Sequence, residues 1–517
     1  MTTKKIETHN PLQAGKILLA VATTESQKEI WSTTKINENA SKAYIESLQL
    51  NLDGQINFEL LQKSYNTVLS RHDSLHGTFS KNGKYFLVKE KFKQEINYID
   101  FTSNTSDKLS QFLKDETNSD FDLLQGPLTR ASLIKTDKDK YIFVFSAHHI
   151  ICDGWSTAIV LNELSQIYNS LLSGTKLDLD WPIQFYEYAT QIKKEPILHK
   201  EYWISKFVKP VQHLQIPLSF DRPSFRTYES KRIDVDIDST LVKDLKKIGA
   251  KNGCSFYTTL MAAFSVFLSK LSNSDKVIFG ISAAAQSSAG QENLVGHLVN
   301  LLPIYEEVKS NDSLKENLKS IKSSMMNSFE NQSYTFGSLL KDIEIERDPS
   351  RIPLVNIIFN VDHKYPGQGM CFENLKANYT TVPRHFENFE LFFNMVTCGD
   401  ELMVECQFNS NLFSKELVSS WIDSYIEILN LFTVDIDISV KSIILNSNCF
   451  TDKIDKKLET TLSQESVQKS YIDTDIKTDI IKIWEETLGF EDIPCDTSFF
   501  SIGGHSILGL DIISKIE

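Results

Sequence analysis

Residues Ser146–Ser156 read S-A-H-H-I-I-C-D-G-W-S, and the rest of the chain is organised around them. The apolar run Tyr141–Phe145 just ahead has the composition of a buried strand. Behind it, Ile159, Val160, Leu164, Ile167, Leu171 and Leu172 recur at helical spacing across 157–172. His148, His149 and Asp153 therefore fall on a strand-to-helix connection, where rigid elements hold the backbone while a side chain faces a cleft. A neutral imidazole in such a place can take a proton near pH 7, or donate a hydrogen bond to developing charge. A carboxylate four residues on can orient a ring or pair with an arginine. A His-His pair can also do no more than cap a strand end, and it is the fixed spacing to Asp153-Gly154 that turns the reading toward chemistry. Adjacent histidines point different ways and no third ligand stands at close helical spacing, so no metal is expected.

The chain has 517 residues, enough for two to four folded units. Its 41% hydrophobic and 24% charged content is that of an ordinary globular protein. A formal net charge of -14 argues against nucleic acid or an anionic membrane surface as the main partner. Seven cysteines are scattered without metal-ligand spacing, which fits a reducing cytoplasm. Lys4, Lys5 and Lys16 ahead of Ile17–Ala22 imitate a signal peptide, but the apolar core is short and an edge strand is expected instead. Phe256–Leu271 is too short and too polar for a membrane span and is expected to be a core helix.

Outward from the opening stretch, a helix is expected over 25–31, a strand over 43–52 and a helix over 58–69. A hairpin is expected at Asn82-Gly83. This makes one α/β layer up to about Trp181. The same order returns in a strand over 232–238, helices over 241–250 and 255–271 and a strand over 276–283. Two further strands, 389–396 and 401–407, are joined by Cys398-Gly399-Asp400, and a helix over 415–432 closes the unit. Two related lobes are therefore expected. After Asn446 the composition turns to Lys, Ser, Thr, Asp and Glu, a linker reaching Asp475. A small helical unit follows, and its last helix presents an apolar stripe (Ile507, Leu510, Ile513, Ile516) with nothing after it to cover it, which suggests an incomplete unit.

The segment His148–Gly154 resembles the HHxxxDG signature of condensation domains of nonribosomal peptide synthetases. The likeness extends along the chain. Ser26-Gln27 to Trp31 is similar to the first family motif, Arg71–Phe79 to RHExLRTxF, Val295–Asn300 to VGxFVN and Arg347–Leu354 to RDxSRNPL, with Asp221-Arg222-Pro223 between them. The resemblance implies two chloramphenicol-acetyltransferase-like α/β lobes in a V, residues 12–181 and 182–445, then a linker, 446–475. His149 would serve the attack of an acceptor amine on a carrier-bound acyl thioester, giving an amide. It would do so either as a base or by stabilising the tetrahedral intermediate. Asp153 would be structural, paired with Arg71; Gly154 would leave room near the reacting carbonyl; His148 would be packed. His76, Gly77 and Asn331–Gly337 depart from the family pattern on the substrate side. Two histidines exclude the heterocyclising variant, and no glutamate-rich motif marks an epimerase.

Gly503-Gly504-His505-Ser506 opens a helix after two glycines, where backbone N–H groups and the helix dipole tolerate a phosphate, although a plain capping serine would read the same. Together with Asp496, Phe499 and Phe500 it resembles the DxFFxLGGHS motif of peptidyl carrier domains, which places a carrier over 476–517. The resemblance implies 4′-phosphopantetheine on Ser506. It implies as partners an upstream donor carrier domain, a phosphopantetheinyl transferase and, since none lies between the two units, an adenylation domain acting in trans. Ester formation, acyl transfer to a free amine and a non-catalytic docking module are the alternatives. The family's usual context is antibiotic biosynthesis.

Overall fold

The computed structural model describes residues 16–90, 93–102, 105–192, 197–207, 213–287, 291–345, 348–363, 371–450 and 481–484. In chain order the strands are β1 (Ile17–Ala22), β2 (Ile45–Asp53), β3 (Gly77–Phe79), β4 (Tyr85–Lys89), β5 (Asn97–Asp100), β6 (Thr129–Asp137) and β7 (Lys140–His148). They continue as β8 (Ser230–Ile237), β9 (Lys276–Ala284), β10 (Val299–Glu307), β11 (Ile357–His363), β12 (Lys376–Thr381), β13 (Leu391–Cys398) and β14 (Glu401–Asn409). They form three sheets, ordered β1-β4-β3, β12-β2-β7-β6-β5 and β10-β9-β11-β13-β14-β8. The mixed α/β, two-lobed architecture expected from the sequence is the one observed.

In the first lobe, β7 is buried on both faces, which is why its sequence is a continuous apolar run rather than an alternating one. Phe143 and Phe145 pack with Tyr65 and Leu61 of the helix Phe58–Arg71 and with Val160 and Leu164 of the helix Gly154–Ser173. Ile142 and Val144 point the other way, onto Leu109, Phe112 and Leu113 of the helix Thr105–Asn118. β1 is the edge of the small sheet, and the Asn82-Gly83 hairpin turns at Gly83 with φ 65°. Gly77, where the family has a threonine, is forced by its neighbour: a Cβ there would lie 2.0 Å from the Phe86 ring.

The second lobe is built on the helix Phe256–Ser272, buried as a core helix should be. Its Phe264 meets Phe279, Phe359 and Phe393 at ring distances of 5.5, 4.8 and 5.2 Å. Among the described residues no single helix is long and apolar enough to cross a membrane.

Two boundaries differ from the sequence reading. The lobes are not contiguous in sequence, because β12 leaves the second lobe and pairs with β2 of the first, from Lys376↔Asp53 to Thr381↔Leu48. β2 would otherwise present an unpaired edge, and the returning strand satisfies it. Phe185, Leu294, Val295, Leu298, Phe372 and Leu375 likewise belong to the first core. The packed part of the second lobe also runs past Asn446: Ser447–Phe450 still packs on the helix Lys415–Val434, with Cys449 buried and its carbonyl accepting from Trp421 Nε1 at 3.3 Å. Ser506 and the rest of the expected carrier, apart from helical residues 481–484, lie outside the described residues.

Phe264→Ala should cost about 3–5 kcal/mol of stability, since the lost ring leaves a cavity that the three strands packed on it cannot close together. Chemical denaturation at unchanged slope would read this as a shifted midpoint.

Candidate active site

β7 delivers His148 as its last residue, and Asp153 caps the helix that begins at Gly154. The turn between them orients the two imidazoles differently. His148 is fully buried, beside Tyr44 and Phe121 at ring distances of 6.2 and 6.3 Å. The Ile150 N–H donates to its Nδ1 at 3.2 Å, and its Nε2 has no hydrogen-bond partner among the described residues. Burial, and secondarily the neighbouring His149, pushes its pKa down to about 3, so it stays neutral.

His149 is only half-buried. Its backbone N–H donates to the Tyr44 carbonyl at 2.8 Å, extending the β2–β7 pairing by one step. Its Nδ1 stands 3.2 Å from the Cys152 carbonyl oxygen. A carbonyl only accepts, so Nδ1 carries the hydrogen and Nε2 keeps a lone pair for another molecule. A Cβ on Gly154 would meet nothing within 4 Å, so the start of the helix is open space.

Asp153 is completely buried, and its contacts cross between segments far apart in sequence. Oδ1 accepts from the Ser156 N–H at 2.8 Å and its hydroxyl lies at 2.7 Å. Oδ2 accepts from Gln286 Nε2 at 2.9 Å and from the Leu298 N–H at 3.0 Å. The Asp153 N–H donates to the Gly296 carbonyl at 3.2 Å, and the Gly296 N–H donates to Ser156 Oγ at 2.9 Å. Gly296 is required by closeness, because a Cβ would lie 2.2 Å from Phe185. The VGHLVN segment is thus fastened to the histidine turn by a carboxylate.

The expected Arg71–Asp153 pair is not formed. Arg71 donates from Nε and Nη2 to Glu163 at 2.8 and 3.2 Å and from Nη2 to the Asp180 carbonyl at 2.6 Å. Glu163 is ten residues beyond Asp153 on the same helix, about 15 Å along its axis. Arg71, at the end of the helix Phe58–Arg71, lies alongside the middle of that helix and not its start. His72 Nε2 also reaches Glu163, at 3.1 Å, and Asp73 accepts from the Phe185 and Tyr186 N–H groups at 2.6 and 2.9 Å. The Arg71–Phe79 motif therefore supports the site from behind and does not line it. The first motif contributes more directly, since Gln27 Nε2 donates to the Ile150 carbonyl in the turn at 3.2 Å.

Two neighbours of His149 were not singled out by sequence. His297 sits inside the quoted Val295–Asn300 motif, and its ring meets His149 edge-to-face at 4.8 Å. Burial, then the adjacent His149, holds it well below the ordinary histidine range. Only its side-chain type, at the variable position of VGxFVN, could have signalled it. Glu46 on β2 is ion-paired with Arg384 at 2.9 Å. Burial works to raise its carboxyl, but Arg384 and His149 prevail and hold it below the usual carboxylate range. No pattern in the sequence links 46 to 384. Among the described residues no group of three or more His, Cys, Asp or Glu side chains could hold a metal.

Comparison with known proteins identifies the family and the fold. The Condensation domain family model matches residues 20–454, and the Phosphopantetheine attachment site model matches 478–517. Tyrocidine synthase 3 of Brevibacillus parabrevis is 28% identical over 80% of the chain, and bacitracin synthase 2 of Bacillus licheniformis 26% identical over 78%. The chain spans only 6% and 15% of the length of these two relatives. Among solved structures, a holo four-domain nonribosomal peptide synthetase bound to AMP and glycine superposes with a TM-score of 0.74 at 16% identity, over 92% of this chain and 37% of that one. The condensation domain of the monacolin K polyketide synthase superposes with a TM-score of 0.71 at 17% identity, over 82% of this chain and 100% of that one.

Asp153→Asn puts an amide N–H against a donor, and should cost at least about 2 kcal/mol in denaturant titration. His148 gives a pH signature. The unfolded chain binds a proton near the ordinary value of 6.5, while the folded one does not until about 3. The unfolded state therefore binds more protons between those values, and stability falls as pH falls. The expected loss from this residue is about 1.4 kcal/mol per pH unit below pH 6. His148→Asn should flatten that part of the stability-versus-pH curve.

Proposed function

The chain belongs to the condensation-domain family, and we propose that it forms an amide by transferring a carrier-bound acyl group to an acceptor amine, with His149 as the catalytic residue. The observation that carries this is the fixed tautomer of His149: Nδ1 is tied to the Cys152 carbonyl while Nε2, on a half-buried ring between segments of both lobes, is left to accept. The amine nitrogen attacks the thioester carbonyl carbon, forming the C–N bond. Nε2 takes the proton that nitrogen loses, the C–S bond breaks, and the departing thiolate receives the proton. A thioester is already activated, so holding both reactants in one place supplies much of the acceleration. His148 is packed against Tyr44 and Phe121, Asp153 holds the turn, Gly154 leaves space, and Arg71 braces the helix that carries them.

Ser506 is proposed as the attachment residue of the C-terminal carrier segment. The 4′-phosphopantetheine group supplies a thiol on a long arm, to which an acyl or aminoacyl group can be bound. The partners that follow are a donor carrier upstream, a phosphopantetheinyl transferase, and an adenylation domain supplied in trans. A reducing compartment, the cytoplasm, suits both the thiol and the free cysteines of the described residues.

Intact mass spectrometry tests both parts. Incubation with a phosphopantetheinyl transferase and coenzyme A should add one phosphopantetheine to the chain and none to Ser506→Ala; gain that survives the substitution removes Ser506 from the assignment. With acyl-loaded donor carrier and a loaded acceptor, His149→Ala should lower product formation about 100-fold or more at an unchanged melting temperature. Undiminished product would remove His149 from the chemistry.

A further inference from the structure

His297 is the one neighbour of the His149 ring that the chemistry above leaves without a task. It is 7% exposed, in a segment whose Leu294, Val295 and Leu298 belong to the apolar core of the first lobe, so an apolar side chain would pack there at least as well. The imidazole instead has its Nδ1 sealed from solvent with no hydrogen-bond partner among the described residues. An orphaned buried nitrogen costs stability, and a fold keeps one where it serves something other than packing. Nε2 is the nitrogen that is not sealed. A neutral ring carries one hydrogen, and a buried N–H with nothing to accept it is harder to accommodate than a buried lone pair. The hydrogen therefore sits on Nε2, the nitrogen that another molecule can reach.

The place of that N–H is fixed from both sides. The Gly296 carbonyl just before His297 accepts from the Asp153 N–H at 3.2 Å, and the Leu298 N–H just after it donates to Asp153 Oδ2 at 3.0 Å. Residue 297 thus hangs between two bonds to the residue that caps the histidine turn, and its ring meets that of His149 edge-to-face with centres 4.8 Å apart. His148 has no nitrogen to offer in the same way, since Nδ1 accepts from the Ile150 N–H and Nε2 is sealed. Burial, then His149 and His148, keep the His297 ring neutral, so it can donate a hydrogen bond without adding a positive charge beside His149.

Attack on a thioester makes two demands at one carbon. The incoming nitrogen must lose a proton, and the carbonyl oxygen must carry negative charge until the C–S bond breaks. Both atoms are bonded to that carbon, so the groups that serve them must be neighbours, as the two rings are. We propose that His297 is a second catalytic residue, its Nε2–H donating to the thioester carbonyl oxygen as that oxygen becomes an oxyanion, while His149 takes the proton of the attacking nitrogen. No proton leaves His297: its hydrogen bond strengthens as the tetrahedral adduct forms and relaxes when the C=O bond returns and the thiolate departs. A donor already aimed at the site needs no reorganisation during the reaction. The inference rests on the condensation reading above.

The test uses the full chain with an acyl-loaded donor carrier and a loaded acceptor. His297→Phe keeps an aromatic ring but has no N–H, and should lower kcat about 100-fold, with KM for either carrier unchanged and the melting temperature unchanged or higher. His297→Gln keeps an N–H and should stay within about tenfold of the wild type. Wild-type kcat in His297→Phe, or equal losses in the two variants, would overturn the assignment. Nitrogen NMR of the histidine-labelled chain at pH 7 gives a readout without turnover: the His297 signal, identified by its absence from His297→Gln, should show the hydrogen on Nε2. A hydrogen on Nδ1 would overturn the assignment even if His297→Phe did not fold. If the wild-type chain makes no amide, the condensation reading fails and this one falls with it; if it makes amide and His297→Phe matches it, only this one fails.

Discussion

The buried carboxylate of Asp153 is the constraint on which the histidine site depends. It is removed from water with no ion-pair partner among the described residues, and it is satisfied instead by N–H and O–H donors from the start of its own helix and from the distant segment that contains Gln286 and Leu298. A carboxylate in that position cannot be left with an empty oxygen without a large desolvation cost. The turn that carries His149 and the segment that carries His297 are therefore fixed relative to one another, since moving either would strip a donor from the acid. An arginine would have satisfied the charge with one long, flexible partner. Short donors from two backbones define a geometry more narrowly.

Other contacts tie the same seam from different directions. Glu29 on the first helix accepts from the Gly337 N–H at 2.8 Å, and a Cβ at Gly337 would collide with that carboxylate. Asn300 at the end of the Val295–Asn300 motif donates to the Gln332 carbonyl at 2.7 Å and accepts from the Phe336 N–H at 3.1 Å. The departures from the family pattern in 331–337 thus fall where the two lobes meet, and the glycine among them has a steric reason. β12, paired along the outer edge of β2, closes the other side. The histidine turn is held from behind by one lobe and in front by the other.

What could be read from the sequence follows from which interactions are local. Strand β7, the helix after it and the Cys398-Gly399-Asp400 hairpin announce themselves by periodicity and turn chemistry, and all three are present. The turn that carries His149 was legible because the strand before it and the helix after it are set by local pattern. The partner of Arg71 could not, because the choice between Asp153 and Glu163 depends on how far along one helix another ends. The crossing of β12 was equally hidden: its residues alternate like any strand, and only the open edge of β2 says which sheet takes it. His297 stood in a recognised motif, yet its contact with His149 exists only once Asp153 has drawn the two segments together.

The electrostatics around His149 can now be weighed as a set. Both imidazoles closest to it, His148 and His297, are kept neutral by burial, so neither opposes a positive charge on the ring between them. The nearby carboxylate, Glu46, is kept ionised by Arg384 across the seam. A proton taken up at Nε2 during attack by an amine would therefore meet one fixed negative charge and no added positive one from these three groups. Arg384 would offset this if it faced the ring alone, but its guanidinium is shared between Glu46 and Glu387 and its positive charge is largely matched there. A surrounding that tolerates a transient imidazolium while leaving the resting ring hydrogen-bonded through Nδ1 favours the proton-accepting role of His149 over a purely donating one.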